Sequence, residues 1–376
     1  MVVVVLPEIQ AEFGVDRSDA SLPFTMTMIG FGVGNLVNGK LVDRFGIVRP
    51  IMGAAVLLGI GFSLGAVSNS IWSFALIQGV CIGMGSAVSF GPLIADISHW
   101  FEKRRGIAVA AVASGNYIAG CIWPLLTKEL IEAGGWRDAY FFAGMVSVII
   151  MLPLALLLRR RIPHHILENI RGDGAQSTGR RQIDFSSRTL QLLLCVAGIS
   201  CCVAMSMPQV HIVAYCFDLG FGVAAGAEML SLMLAGGIVS RLLSGMLADY
   251  IGGVRTVLLG SFLQCLALFL YLPFDGLASL YIVSLVFGLS QGGLVPSYAI
   301  IIREYLPAKE AGERVGMVMM MTVLGMAIGG WMSGLIYDLT GSYQAAFING
   351  IAWNMVNMGI MALLLWRTQA PRTQTA

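Results

Sequence analysis

Charge is what this chain has least of. Asp, Glu, Lys and Arg make up 12% of its 376 residues, against about 25% in an ordinary soluble domain. With 57% hydrophobic residues and a mean hydropathy of +0.80, that shortage excludes a soluble globular fold. There are only four histidines, and the seven cysteines contain no CxxC pair. Cys81, Cys121, Cys195, Cys201, Cys202, Cys216 and Cys265 all lie in apolar stretches. That pattern excludes a disulfide framework and a zinc site. No acid, base and nucleophile gather at one depth, which argues against a membrane enzyme and implies no cofactor. Gly34–Leu41 completes GxxxxGK, but Leu41 stands where a phosphate-binding loop needs Ser or Thr for magnesium. The segment also closes an apolar stretch instead of joining a strand to a helix, so no nucleotide site is read there.

What is present is apolar sequence in bilayer-sized stretches. A helix needs about 20 apolar residues to cross the hydrocarbon core. Eleven such spans are read near Leu22–Leu41, Pro50–Val67, Ser70–Ala95, Gly106–Ile131, Tyr140–Leu158, Leu190–Cys216, Met229–Ala248, Val257–Leu272, Leu277–Ile302, Val315–Ile336 and Ala345–Leu365. Met1–Leu6 is an apolar stub running into the acidic segment Pro7–Phe13. It lacks the basic start and small-residue cleavage site of a signal peptide, and is expected to be the outer end of a truncated helix 1.

Nineteen of the 23 Lys and Arg residues fall on one side of this topology. Only Arg17, Lys128 and Arg137 fall on the other, and Arg241 lies inside a span. By the positive-inside rule the rich side is cytoplasmic. This places a multi-pass chain in the cytoplasmic membrane, with its central linker and C-terminus inside. The net charge of +2 then reports topology and lipid contact, not nucleic acid. The linker, Arg159–Arg188, is polar and basic. His164 and His165 in it lack carboxylate or cysteine companions at ligand spacing, so they are read as solvated linker.

The chain repeats itself. Gly39–Arg49, with the pattern G-x-L-x-D-x-x-G-x-x-R, returns 206 positions later as Gly245–Arg255. Gly135–Phe141 recurs at the same offset as Gly341–Phe347. Two parallel homologous halves are a common transporter plan. The expected organisation is an N-terminal bundle over 1–158, the linker 159–188, a C-terminal bundle over 189–368 and a tail 369–376. Glycines inside the spans are read as small residues that let helices approach closely in lipid.

The repeated element resembles the cytoplasmic signature between helices 2 and 3 of the major facilitator superfamily, and its weaker copy between helices 8 and 9. Asp96–Gly106 resembles the W-F-x-x-x-R-G segment of the superfamily's monocarboxylate porter and oxalate/formate antiporter branch. The resemblance implies an all-α membrane fold of two six-helix bundles related by a pseudo-two-fold, with helix 1 truncated. It also implies a cytoplasmic latch formed by Asp43, Arg44, Arg49, Asp96, Arg105, Asp249 and Arg255.

Arg241 is the sharpest functional residue. It lies eight positions before Asp249, about 12 Å into the membrane at 1.5 Å per residue. An arginine at that depth costs at least about 2.5–3.5 kcal/mol. Its planar fork of donors matches a carboxylate in bidentate fashion. Val239–Gly245 also resembles helix 8 of monocarboxylate transporters, where an arginine binds the substrate carboxylate. The acidic residue those animal proteins carry one turn earlier is Gly237 here. His211 is either a carrier of a coupling proton or a hydrogen-bonded packing residue. Asn116, Tyr117, Gln291, Tyr298, Ser86 and Ser89 complete the polar candidates for a small pocket. No lysine occurs in Val315–Ile336, where oxalate-type exchangers use a second cation, so a monocarboxylate is favoured over a dicarboxylate.

The expected function is secondary transport of a small organic monocarboxylate by alternating access, with proton symport or anion exchange, by a monomer in the bilayer. The alternatives are a proton-coupled antiporter exporting drug-like or other metabolites, for which no clear mid-span carboxylate is found, and an inactive truncated transporter.

Overall fold

The computed structural model describes residues 1–88, 93, 105–158, 185–306 and 308–368, with backbone alone at 43, 105–110, 303 and 308–313. Asp96, Ser89, His99, His164, His165, the tail 369–376 and most of the linker lie outside these residues, as do the side chains of Asp43 and Arg105. Among the described residues there is no strand.

A short α1 (Leu6–Phe13) leads into α2 (Arg17–Phe45) and α3 (Val48–Ala66). Next come α4 (Ile71–Ile77), a π-helical turn (Gln78–Gly83) and α5 (Met84–Ala87) in one run, then the long α6 (Arg105–Leu157). There follow α7 (Ser187–Asp218), α8 (Gly222–Ile251), α9 (Gly253–Leu270), α10 (Leu277–Gln291), α11 (Leu294–Tyr305), α12 (Ala308–Thr340) and α13 (Tyr343–Arg367). Helices apolar all round bury themselves in lipid or in one another. Leu157 and Trp366 are 72% and 77% exposed in the protein alone, apolar surface that lipid can cover.

Nine helical stretches among the described residues are long and apolar enough to cross a membrane. Eleven spans were expected from the sequence. Two of the expected spans, Gly106–Ile131 and Tyr140–Leu158, lie in α6 on either side of Gly135, whose φ of 85° breaks the helix, and the expected span Ser70–Ala95 runs beyond the described residues.

The internal repeat is written into the backbone. Gly46 and Gly252, the turn glycines of the repeated element, have φ of 74° and 85°. Gly14 and Gly220, and Gly135 and Gly341, are two more pairs separated by the same 206 positions, all with positive φ. A side chain at these turns would be strained, so each half breaks its helices where the other does.

Packing divides the chain into two compact units. The first comprises Met1–Gly172, Pro208–Ser231 and Gly330–Tyr343. Its core gathers Val5, Ile9, Leu58 and Phe74 around Trp136 and Tyr140. The rings of Phe74, Trp136 and Tyr140 lie 5.4–5.6 Å apart. The Tyr140 hydroxyl accepts from Gln78 Nε2 at 2.7 Å, which satisfies two polar groups inside an apolar core. The second unit comprises Asp173–Met207, Leu232–Gly329 and Gln344–Ala376, with a core built on Leu194, Cys201, Val257, Tyr298, Ile301 and Val318.

Glu12 ties α1 to the α6 kink by accepting from Trp136 Nε1 and Arg137 Nη2, both at 2.5 Å. Partial burial raises its pKa, but the hydrogen bonds from Arg137 and Trp136 and the Arg137 charge outweigh it, and the carboxyl is held below its ordinary value. A depressed carboxylate contributes stability that is present at neutral pH and is lost as pH falls through its folded pKa. Glu12→Gln should therefore flatten the acid limb of a plot of melting temperature against pH. An identical acid limb in both proteins would dismiss the pair as a stabilising contact.

Candidate functional site

Arg241 lies within α8 and is half-buried. Its Nε donates to the carbonyl oxygen of Gly292 at 3.2 Å. Gly292 and Gly293 form the break between α10 and α11. A helix end leaves carbonyls without helical partners, and here one of them orients the guanidinium. The approach that permits this is made of glycine. A Cβ on Gly288 would strike the Met233 carbonyl, one on Gly292 the Gly237 carbonyl, and one on Gly293 the Ser244 side chain. The face of α8 beside Arg241 thus touches backbone directly.

Gln291, buried at the same break, adjoins Gly292 in sequence. Tyr298 is fully buried within the second unit. Its hydroxyl donates to Asn357 Oδ1 at 2.7 Å and to the Ala197 carbonyl at 3.2 Å, and Asn357 Nδ2 donates to Ser261 Oγ at 2.6 Å. This network joins α7, α9, α11 and α13 inside the second unit. Leaving buried partners unsatisfied costs about 1–3 kcal/mol. Tyr298→Phe should therefore lower the melting temperature. Unchanged melting would show that the network does not stabilise the second unit.

The remaining pocket candidates belong to the first unit. Asn116 is exposed and Tyr117 buried, both on α6. His211 is fully buried, with Nε2 2.8 Å from the Gly330 carbonyl and Nδ1 3.5 Å from the Tyr343 hydroxyl. A carbonyl only accepts, so Nε2 carries the proton.

At the repeated element, Arg44, Arg49, Asp249 and Arg255 are exposed, and none forms an ion pair with a described side chain. Arg44 lies over the Phe45 ring at 5.3 Å. Glu304, absent from the sequence reading, accepts from the Gly253 backbone N–H through both oxygens, at 3.1 and 3.2 Å. A carboxylate there caps the first turn of α9, where the helix dipole favours negative charge.

A second charged group escaped the sequence reading. Arg17, 3% exposed, donates from Nη2 to both oxygens of Asp218 at 2.9 and 2.7 Å. The backbone N–H groups of Arg17 and Ser18 donate to the Asp338 carboxylate at 2.8 and 2.7 Å. Lys128 donates to Glu228 at 2.6 Å. One signal was available: Asp218 follows Glu12 by the repeat offset of 206, and both carboxylates hold an arginine.

The sequence profile of the Major Facilitator Superfamily matches residues 1–276 and 192–376. Monocarboxylate transporter 13 of Bos taurus is 27% identical over 336 residues, covering 88% of this chain and 76% of that protein. The MFS-type transporter pynF of Aspergillus niger is 24% identical over 344 residues, covering 90% and 77%. Among solved structures, a bacterial homolog of the human lysosomal transporter Spinster, in an inward-facing and occupied conformation, superposes with a TM-score of 0.73 at 13% identity, covering 98% of this chain and 94% of that one. The nucleoside transporter NupG gives 0.73 at 13% identity, covering 96% and 94%.

Proposed function

The chain belongs to the major facilitator superfamily and is a secondary transporter, not an enzyme; on that premise we propose that it carries a small organic monocarboxylate across the cytoplasmic membrane. The observation that carries this reading is Arg241, a guanidinium placed within a membrane helix and oriented by the Gly292 carbonyl. Cations at that depth mark substrate or ion paths, and a carboxylate is the complementary ligand of a planar donor fork. The likeness to a monocarboxylate transporter over most of the chain supports the same class. Gln291, Tyr298, Asn116, Tyr117 and His211 are the further candidates for substrate contact. Transport proceeds by alternating access, driven by proton symport or anion exchange. The cytoplasmic latch is assigned to Asp43, Arg44, Arg49, Asp96, Arg105, Asp249 and Arg255, with the linker and C-terminus on the cytoplasmic side as the lysines and arginines dictate.

The test is uptake of labelled lactate, pyruvate, acetate, formate and oxalate into proteoliposomes, with and without an inward proton gradient. Saturable uptake of a monocarboxylate, enhanced by the gradient, supports proton symport. Uptake that depends instead on anion preloaded inside supports exchange. Well-folded protein that takes up none of these acids would sink the monocarboxylate reading.

A further inference from the structure

The Arg17 group has no part in the reading built on Arg241, yet Arg17 and Ser18 together make four hydrogen bonds to two carboxylates. All its members lie in the first compact unit. Arg17 opens α2, Asp218 closes α7 and Asp338 lies in the last turn of α12. Helices 201 and 320 positions apart in sequence are thus tied at one end through a single residue and its neighbour Ser18.

The chemistry of the tie is strong for three separate reasons. The Arg17 guanidinium is nearly inaccessible and holds a carboxylate by two charge-assisted contacts. Its cation also lies 5.1 Å from the Tyr337 ring and 5.9 Å from the Tyr343 ring, a favourable placement over π faces. Asp338 meanwhile supplies the cap that Asp16, at the N-cap position of α2, does not make, and an anion is favoured at a helix N-terminus. Lys128 on α6 and Glu228 on α8 add a second ion pair inside the same unit. The carboxylates of Asp218 and Asp338 belong to solvent-exposed residues, while Arg17 is buried beneath them. A tie built this way can be broken from the water side, and its release would uncover the end of α7.

We infer that Arg17, Asp218 and Asp338 form an outer latch, whose closure holds the ends of α7 and α12 against α2 and whose release opens the non-cytoplasmic side of the transporter. α2 then carries a latch at each end. Asp43 in the repeated element stands at the cytoplasmic end, and the first turn held by Asp338 stands at the other. Alternating access requires that one be open while the other is shut. The inference depends on transport by this fold and not on the identity of the substrate.

Cys216 makes the latch measurable. It is fully buried two residues before Asp218, with Sγ packed 3.3 Å from Met229 Sδ. Cys202, also fully buried, belongs to the second unit and reports general unfolding. The experiment exposes the full chain in sealed proteoliposomes to a membrane-impermeant thiol reagent. Labelling at each cysteine is read by peptide mass spectrometry in the unaltered chain, Asp218→Asn, Asp338→Asn, and the double variant Arg17→Asp with Asp218→Arg. Each single variant should label Cys216 on the order of tenfold faster, a shift typical of losing one coupling contact between two states. Cys202 should not change, and the charge-swapped double variant should return Cys216 toward its original rate. Cys216 labelling that stays unchanged in both single variants would overturn the latch. So would a rise that Cys202 shares, or one that the swapped pair fails to reverse, because loss of packing alone would then account for it.

Discussion

Arg241→Ala is expected to abolish monocarboxylate uptake while leaving the protein folded and monodisperse. Truncating one partner of a desolvated charge pair costs about 2–5 kcal/mol, so affinity should fall at least about 30-fold. The fold should survive because Arg241 is only half-buried. Arg241→Lys is the more discriminating change. It keeps the charge but replaces a rigid fork with one ammonium, and it removes the Nε–H that the Gly292 carbonyl holds. Uptake in the lysine variant should recover to no more than about one tenth of the original. Saturable uptake with an unchanged KM in either variant would make Arg241 a structural cation and leave the substrate class open.

The scaffold around this residue was largely legible in the sequence, because its determinants are local and periodic. Apolar stretches of bilayer length mark the helices, and the 206-residue echo predicts that turns recur in register. The structure returns that register in three pairs of positive-φ glycines. The depth of Arg241 is likewise a matter of counting along one helix. What could not be read is which distant side chains meet. Arg17 looked like one of a few cations on the sparse side. Its importance comes from Asp218 and Asp338, which no local pattern joins to it. Tyr298 looked like a pocket residue because it is polar and lies in an apolar helix. Its Asn357 partner, 59 positions away, gives the hydroxyl a structural use. Glu304 was passed over for the same reason, since the turn it caps begins at Gly253, 51 positions earlier.

Gly292→Ala should couple the stability of the second unit to its function. In most helices an added methyl group meets a side chain that can rotate away. Here the new Cβ would fall on the carbonyl of Gly237 and close against its Cα, so the obstacle is backbone on α8 itself. Relief therefore demands that α8 move away from the break between α10 and α11. Overpacking of this kind costs typically about 1–3 kcal/mol. The same displacement carries Arg241 away from the carbonyl of residue 292, so both the melting temperature and the affinity for the carried anion should fall together. Gly53→Ala is the matched control: it lies within α3, and no atom lies within 4 Å of its added Cβ. By reducing the freedom of the unfolded chain it should leave melting unchanged or raise stability by about 0.4–1 kcal/mol. If Gly292→Ala melted like the unaltered chain, the close approach of α8 would be wrong. If it melted lower yet transported with an unchanged KM, the packing would stand, and the Gly292 carbonyl would lose its role in aiming Arg241.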